Sequence, residues 1–327
     1  MILNTGSRTD IPAYYSDWFY NRIKEGFVLV RNPYNPRQIT KYLLKPEVID
    51  AIVFCTKNPA PMLGRIHCLS DFATFWFVTI TPYGKDIEPF VPDKEEVLTT
   101  FCRLSDMVGS ERISWRYDPV FLTEKYSADY HISQFEHMAG KLKGYTGQCV
   151  VSFIDLYEKT KKNFPEVRRV SDKEQRYLIT AFSEIAADNN LQIHLCCENT
   201  DLVRKNVDAD GCLSQRVLEA AIGWKLDVPK KKAARAECAC LLGADIGAYN
   251  TCAHGCLYCY ANEYVSGYAN EYVSGYANYD RQAVPANRKN HDPASPLLTG
   301  WPGAEDIIKD AEQKSWKNGQ MSIFDIM

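Results

Sequence analysis

The chain has 327 residues, of which 46% are hydrophobic and 24% charged, and its formal net charge is −3. This length allows one large α/β domain or two smaller ones, and the charge excludes an overall basic field that would by itself indicate nucleic-acid binding. No run has the roughly 20 apolar residues of a membrane span, and none resembles a signal peptide, so we expect a cytoplasmic protein without membrane contact. Its twelve cysteines are then not a disulfide framework: clustered ones should be metal ligands and isolated ones core residues.

Short runs of β-branched and aromatic residues alternate with amphipathic helical patterns along the chain. The predicted strands are "MILN", "FVLV", "AIVF", "FWFVTI", "ISWRY", "CVVSFI" and "LQIHLCC". In "DKEEVLTTFCRLSDMVG", Asp93 predicts the start of a helix and Gly109 its end, and "DKEQRYLITAFSEIAADNN" predicts a second helix of the same kind. Seven strands alternating with helices predict a mostly parallel sheet, either a βα barrel or a doubly wound sheet.

Polar residues follow each predicted strand, and in a parallel βα barrel these strand ends meet at the face that carries the active site. Capping of the next helix explains Asp10 well, but it does not explain several cations at one rim, which suit a carboxylate or phosphate ligand. Arg116, Asp118 and Lys57 are therefore candidate catalytic residues. Arg116 and Asp118, two apart on one strand, could instead form a structural ion pair. The strand-end residues assigned to cofactor binding are Ser7, Arg8, Asp10, Arg31 and Asn32.

Three cysteines lie close together in "CAHGCLYCYAN", residues 252–262, in a CxxxCxxC pattern. Structural zinc is one alternative, but it usually takes four ligands in two pairs, and pairing Cys256 and Cys259 with Cys238 and Cys240 leaves Cys252 over. Three such cysteines without a fourth neighbouring ligand better suit a 4Fe–4S cluster with one iron open to a small molecule. An open coordination position indicates a catalytic cluster rather than a purely structural one.

This cysteine pattern, with an aromatic residue before the last cysteine, is similar to the signature of radical S-adenosylmethionine enzymes. The stretch "AYNTCAHGCLYCYA" most resembles the subgroup that contains spore photoproduct lyase. The chain also resembles an uncharacterised bacterial family of unknown function with such a cluster near its C-terminus, in the blocks "SRTDIPAYYSDWF", "VFCTKNPAP", "SWRYDP" and "DIGAYNTCAHGCLYCYAN". The match covers most of the chain, and the family name carries no established reaction.

The resemblance implies that Cys252, Cys256 and Cys259 bind three irons, that S-adenosylmethionine binds the fourth, and that Tyr258 lies near its adenine. One-electron reduction by an electron donor would then give a deoxyadenosyl radical. In the superfamily the motif follows the first barrel strand, whereas here seven predicted strands precede it. A permuted barrel of the TIM type would explain this late position of the motif. In it, the strand before the cysteines lies beside the first strand of the chain. The alternative is a non-catalytic module in which the same cysteines hold zinc or a structural cluster.

A second concentration of cysteines precedes the motif. Cys197, Cys212, Cys238 and Cys240 predict an auxiliary iron–sulfur cluster or a zinc site. The alternative is that Cys196 and Cys212 are small core residues.

These assignments predict a βα barrel over 1–236, a cysteine-rich segment over 237–300 that completes it, and a C-terminal helix and flexible tail over 301–327. The octapeptide "YANEYVSG", repeated from Tyr260, is a local duplication to which we assign no chemistry. In the tail, the stretch "QMSIF" from Gln320 to Phe324 resembles the peptide by which bacterial repair proteins dock on the replication sliding clamp. The alternative is that these apolar residues fold back on the barrel. Together with the resemblance to spore photoproduct lyase, this tail points towards nucleic acid as the substrate.

Overall fold

A computed structural model describes residues 1–229, 240–241, 243–262 and 288–318. The strands are β1 (Ile2–Asn4), β2 (Phe27–Asn32), β3 (Asn35–Leu43), β4 (Ala51–Thr56), β5 (Thr74–Thr79), β6 (Ile113–Val120), β7 (Gln148–Phe153), β8 (Gln192–Leu195), β9 (Val207–Asp208), β10 (Ala244–Asp245) and β11 (Ile307–Asp310). The α-helices are α1 (Ile11–Tyr14), α2 (Ser16–Glu25), α3 (Ala60–Leu63), α4 (Lys94–Val108), α5 (Ala128–Leu142), α6 (Glu158–Asn163), α7 (Asp172–Asp188) and α8 (Gln215–Ile222). Short 3₁₀ helices cover Ile66–Leu69, Ser110–Arg112 and Thr200–Leu202. No helix in these ranges is long and apolar enough to cross a membrane.

Eight strands form one parallel sheet in the order β10-β1-β4-β5-β6-β7-β8-β9. From β1 to β9 the order in the sheet follows the order in the chain, as it does in a βα barrel. The predicted closed barrel, however, is not found in the part of the chain that the structure describes. There, β9 and β10 are the two edges of the sheet, each has two residues, and they do not pair with each other.

The strand that leads into the cysteine motif lies beside the first strand of the chain. Leu3 and Asn4 of β1 pair in parallel with Ala244 and Asp245 of β10. This neighbour relation was predicted from the position of the motif late in the chain, and it is confirmed. It places the cysteine loop next to the loop that follows β1.

The second predicted strand lies outside the parallel sheet. Strand β2 pairs antiparallel with β3, and β11 joins β3 in parallel, so the three form a separate small sheet. Only residues 33 and 34 separate β2 from β3. A connection this short permits a hairpin, whereas parallel strands need a crossover of a dozen or more residues. Arg31 and Asn32 are therefore carried away from the rim of the parallel sheet.

Two predicted helices form with the expected boundaries. At the start of α4, the Asp93 side chain accepts a hydrogen bond from the Glu95 amide, and Gly109 ends the helix. At the start of α7, Ser171 and Glu174 form a reciprocal capping box. Local sequence alone therefore determines these boundaries.

Both faces of the parallel sheet are buried, and successive residues of a strand alternate between them. Ile52 and Trp76 belong to the core under the helices that include α4, α5 and α7. Val53 and Phe75 belong to a second core, which α8 and Trp316 complete on the other face. The sheet is thus enclosed except at its strand ends, where a site can open.

The C-terminal segment contains a strand where a helix was predicted. Within 301–318 the structure has β11 and otherwise irregular chain, and no helix. Asp50 accepts a hydrogen bond from the Trp316 amide (2.8 Å), and Trp316 is buried. Pairing with the exposed edge of β3 gives the backbone of β11 its hydrogen bonds. The predicted flexible tail and clamp-binding peptide, residues 319–327, lie outside the described residues.

A buried histidine predicts a dependence of stability on pH. His131 lies between the Tyr117 hydroxyl (Nδ1, 2.8 Å) and the Phe121 carbonyl (Nε2, 2.9 Å), and burial lowers its pKa from 6.5 to about 4. Between these values the unfolded chain binds a proton that the folded chain does not, so stability falls as pH decreases from about 6.5 to 4. We expect a loss of about 2–3 kcal/mol across this window, measured by denaturant unfolding at several pH values.

The matched control for this prediction is exposed His137, which pairs with Glu95 (2.8 Å). His131→Gln should flatten the pH dependence in this window, and His137→Gln should leave it nearly unchanged. Equal slopes in the two variants would assign the effect to other groups.

Candidate functional site

A cavity of about 640 Å³ opens at the carboxyl ends of the parallel strands. Its wall combines the loop after β1, the ends of β4 to β8 and the cysteine loop. Of the residues predicted for the site, those lining the cavity are Ser7, Asp10, Lys57, Arg116, Asp118, Cys197, Cys212, Cys240, Cys252, Cys256, Tyr258 and Cys259. The sheet therefore brings together most of the residues that the sequence singled out, from segments more than 200 positions apart.

The three cysteines of the motif share one wall of this cavity. Cys256 is buried, and Cys252 and Cys259 are half-buried. Burial raises the pKa of the Cys256 thiol to about 12, against the opposing charge of Lys57. Binding of a metal would therefore release protons from these thiols, as metal–thiolate binding generally does.

The cysteine loop is held by a buried histidine inside the motif. His254 Nε2 lies 2.7 Å from Asp10 Oδ2, and its Nδ1 lies 2.9 Å from the Tyr14 hydroxyl. Because the carboxylate only accepts, Nε2 carries the proton and Nδ1 accepts from Tyr14. Buried His254 therefore anchors the cysteine loop to Asp10 and Tyr14.

Asp10 joins the cysteine loop to two other elements. Its Oδ1 accepts from the Ala13 amide (3.0 Å), which caps α1 as the sequence predicted, and its Oδ2 accepts from the Lys57 amide (2.8 Å). Capping is thus only part of its role. With the bond to His254, one carboxylate fixes the ends of β1 and β4 against the cysteine loop.

Glu88 is a second buried carboxylate beside the site, and sequence reasoning missed it. It accepts from Lys57 Nζ (2.8 Å), from the Thr81 hydroxyl (2.6 Å), from Lys94 and from the Tyr258 hydroxyl. Burial alone would raise its pKa, but the two ammonium groups outweigh burial and hold the pKa well below its usual range. Glu88 therefore stays ionised and connects the β4 end, the start of α4 and the cysteine loop.

Lys57 and Tyr258 face the cavity as partners of this carboxylate. Lys57 Nζ lies 5.5 Å from the centre of the Tyr258 ring. Burial lowers the pKa of Lys57, but the charge of Glu88 outweighs it and the pKa is raised. Lys57 is thus a paired cation in the wall, which fits electrostatic positioning better than proton abstraction.

The loop after β1 approaches the neighbouring strand very closely. A Cβ at Gly6 would lie 2.4 Å from Cys55 Cβ, so only glycine fits there. The Ser7 amide donates to Asp245 Oδ2 (2.8 Å), and Arg8 lies beside the same carboxylate (3.9 Å). Ser7 faces the cavity, whereas Arg8 pairs with Asp245 and is not part of the cavity wall.

Two predicted cofactor-binding residues are not near the cavity. Arg31 makes a bidentate ion pair with Asp306 (2.7 and 2.8 Å). The Asn32 side chain accepts from the Tyr34 amide (2.9 Å) in the turn of the hairpin. Neither residue lines the cavity, because β2 belongs to the small sheet and not to the parallel sheet.

Arg116 and Asp118 line the cavity and form an ion pair there, so the ion-pair alternative is observed and the catalytic role stays a prediction. Arg116 Nε donates to Asp118 (3.1 Å), and the other Asp118 oxygen accepts from Ser152. Arg116 Nη1 also lies 3.7 Å from the sulfur of Cys212. The pair connects β6 and β7 and places a charged group beside the second set of cysteines.

The second set of cysteines is regrouped by the fold. The sulfurs of Cys212 and Cys240 are 3.2 Å apart, and Cys196 and Cys197 line the same cavity beside them. Cys196, assigned to the core as an alternative, is therefore a member of this group, while Cys238 lies outside the described residues. We name Cys196, Cys197, Cys212 and Cys240 the four-thiol group.

Over the described ranges, no three or more His, Cys, Asp or Glu side chains are arranged to hold a metal ion. A cubane cluster sets a different requirement, since each of its thiolates binds a different iron. The donor chemistry of Cys252, Cys256 and Cys259 fits such a cluster. Thr9 adds a polar group, because its hydroxyl is buried at the cavity wall without a hydrogen-bond partner among the described residues.

Sequence reasoning missed Glu88, Cys196, Asp245 and Ser152 in this site. Glu88 lies in a loop without a motif, and Ser152 lies within a strand. Asp245 lies in the stretch "DIGAYNTCAHGCLYCYAN" without a role assigned to it. The signal that could have identified Cys196 is its position directly before Cys197 at the end of a strand.

A family model described as "Domain of unknown function (DUF1848)" matches residues 2–261, which ends two positions after Cys259. No curated protein matches the chain significantly.

Proposed function

The chain belongs to the DUF1848 family, whose description names no reaction, and we propose from the site that this protein is a radical S-adenosylmethionine enzyme. The observation that carries the proposal is the position of Cys252, Cys256 and Cys259 on one wall of the cavity at the strand ends. A purely structural metal site would not require an adjoining cavity. At about 640 Å³, this one lies within the usual range for small-molecule sites.

In this proposal the three cysteines hold a 4Fe–4S cluster, and the neighbouring wall holds S-adenosylmethionine. When bound, the two would supply a reductively generated organic radical for hydrogen abstraction from substrate. Ser7, Thr9 and Tyr258 line the cavity and are the residues that would contact the cofactor. The Thr9 hydroxyl has no hydrogen-bond partner among the described residues, which supports a polar ligand at this wall.

The residues of the chain itself would position the reactants and exclude water. Asp10 and His254 fix the cysteine loop, and Glu88 fixes Tyr258. Arg116 and Asp118 would contact the substrate, because they line the same cavity. Nucleic acid is the substrate class that the sequence resemblances favour, with the tail at 320–324 as a docking peptide for the sliding clamp.

The test is anaerobic purification and reconstitution with iron and sulfide, followed by reduction in the presence of S-adenosylmethionine. We expect iron and sulfide in cluster stoichiometry and formation of 5′-deoxyadenosine. Cys256→Ala should abolish deoxyadenosine formation and lower the iron content by one cluster, since one of three ligands is lost. Cys68→Ala changes an exposed thiol that is not part of the cavity and should change neither quantity.

Stoichiometric zinc with no iron after reconstitution would contradict the proposal and favour a zinc-binding module. A cluster that forms without deoxyadenosine would indicate a structural iron–sulfur module.

A further inference from the structure

The four-thiol group is drawn together from three separate chain segments. Cys196 and Cys197 follow β8, Cys212 precedes α8, and Cys240 precedes β10. All four line the cavity that also holds the cysteines of the motif. The described cysteines are free thiols.

The backbone is strained where two of these thiols are adjacent. Cys197 has φ of +57°, in the left-handed region that non-glycine residues seldom adopt. Successive residues of a strand point to opposite sides, whereas here Cys196 and Cys197 both line the cavity. The left-handed turn brings both into one group, at a cost of about 1–3 kcal/mol. Ordinary packing of small core residues gives no reason for that cost.

A backbone contact holds the other two thiols in register. The Leu241 amide donates to the Leu213 carbonyl (2.9 Å), and these residues directly follow Cys240 and Cys212. The Arg116 guanidinium, 3.7 Å from the Cys212 sulfur, favours negative charge on the group. The strained backbone at Cys197, the Leu241–Leu213 hydrogen bond and the Arg116 guanidinium thus all act on the four-thiol group.

We infer that Cys196, Cys197, Cys212 and Cys240 form a tetrathiolate metal centre, separate from the Cys252, Cys256 and Cys259 site. Four thiolates in a reducing compartment select zinc or an iron–sulfur centre. Each thiol loses its proton on binding, so a divalent ion gives a complex of charge −2, which Arg116 partly offsets. Four protein ligands complete a tetrahedral sphere, and such a centre serves structure or electron transfer rather than substrate ligation.

The Cys212 and Cys240 sulfurs are closer together than a bound metal would hold them. Tetrahedral zinc with bonds of about 2.3 Å separates its sulfurs by about 3.8 Å, against 3.2 Å between Cys212 and Cys240. Metal binding would require side-chain rotations that separate these two sulfurs. This requirement agrees with the finding that, in the described ranges, no three or more His, Cys, Asp or Glu side chains are already arranged around a single metal position.

The test uses the full chain with Cys252, Cys256 and Cys259 changed to alanine, which separates this inference from the proposed function. Titration with Co²⁺ alone, without oxygen, should give one equivalent bound with thiolate-to-cobalt charge-transfer absorption. Added Zn²⁺ should displace the cobalt if the site prefers zinc. Reconstitution with iron and sulfide should give a cluster spectrum if it prefers iron.

Adding Cys196→Ser or Cys212→Ser to this background should weaken Co²⁺ binding by on the order of 100-fold or more, since loss of even outer-shell partners costs 10–100-fold. The control Cys102→Ser changes a half-buried thiol on α4 that is not part of the cavity and should leave binding unchanged. Circular dichroism checks that each variant is folded. If the triple variant does not fold, the same two serine substitutions in the otherwise unchanged chain should each remove one metal centre per chain.

No charge-transfer band and no iron centre in the folded triple variant would overturn the inference. Equal Co²⁺ affinity in Cys196→Ser and Cys102→Ser would do the same. A Cys212–Cys240 disulfide in protein purified under reducing conditions would assign the pair to redox chemistry instead.

Discussion

Glu88→Gln should lower the free energy of unfolding by about 3–5 kcal/mol, the usual cost of breaking a buried ion pair by removing one partner. The glutamine has nearly the same volume, but it leaves the ammonium groups of Lys57 and Lys94 without a counter-charge in a site where Glu88 is 1% exposed. Denaturant unfolding at pH 7 measures the change. Iron retention should also fall, because the Tyr258 hydroxyl loses its charged acceptor.

The matched control is Glu158→Gln, which removes an exposed carboxylate that pairs with Lys161 at 2.9 Å. An exposed pair is worth about 0.2–1 kcal/mol, so this variant should unfold nearly as the unchanged protein does. Similar losses in the two variants would show that Glu88 is not the electrostatic centre of this wall.

Asp10→Ser should cost about 3–4 kcal/mol and release the cysteine loop. Serine can still cap α1 by accepting from the Ala13 amide, but its short side chain does not reach His254 or the Lys57 amide. Two buried donors then lack acceptors, at about 1–3 kcal/mol each. We expect reconstituted iron to dissociate faster to a chelator than from the unchanged protein, with unfolding measured alongside.

Ser127→Ala provides the comparison for this variant. Ser127 caps α5 by accepting from the Tyr130 amide, and its loss should cost about 1 kcal/mol without effect on iron release. If Asp10→Ser destabilises the protein but retains iron as well as Ser127→Ala does, then the Asp10–His254 contact does not hold the cysteine loop.

Local patterns predicted the parts of this fold whose causes are local. Helices α4 and α7 begin at Asp93 and Ser171, because a capping side chain and an apolar stripe act within a few residues. The placement of β10 beside β1 was also predictable, from the late position of a motif that the resemblance ties to a barrel strand. Strand β2 was misplaced because the runs of β2 and the sheet strands look alike, and only the two-residue connection to β3 distinguishes them.

The sequence by itself determined that the three cysteines in CxxxCxxC spacing lie close together, because all three fall within eight consecutive residues. It also determined which polar residues end the strands. The tertiary structure alone decided that Glu88 contacts Lys57, Lys94 and Tyr258. It also decided that Cys196 lines the cavity with the other three thiols instead of packing in the core, and that Arg31 pairs with Asp306. Most of these partners lie far apart in the chain, up to the 275 positions between Arg31 and Asp306, so no local pattern links them. Burial strengthens the contacts of Glu88, which is 1% exposed.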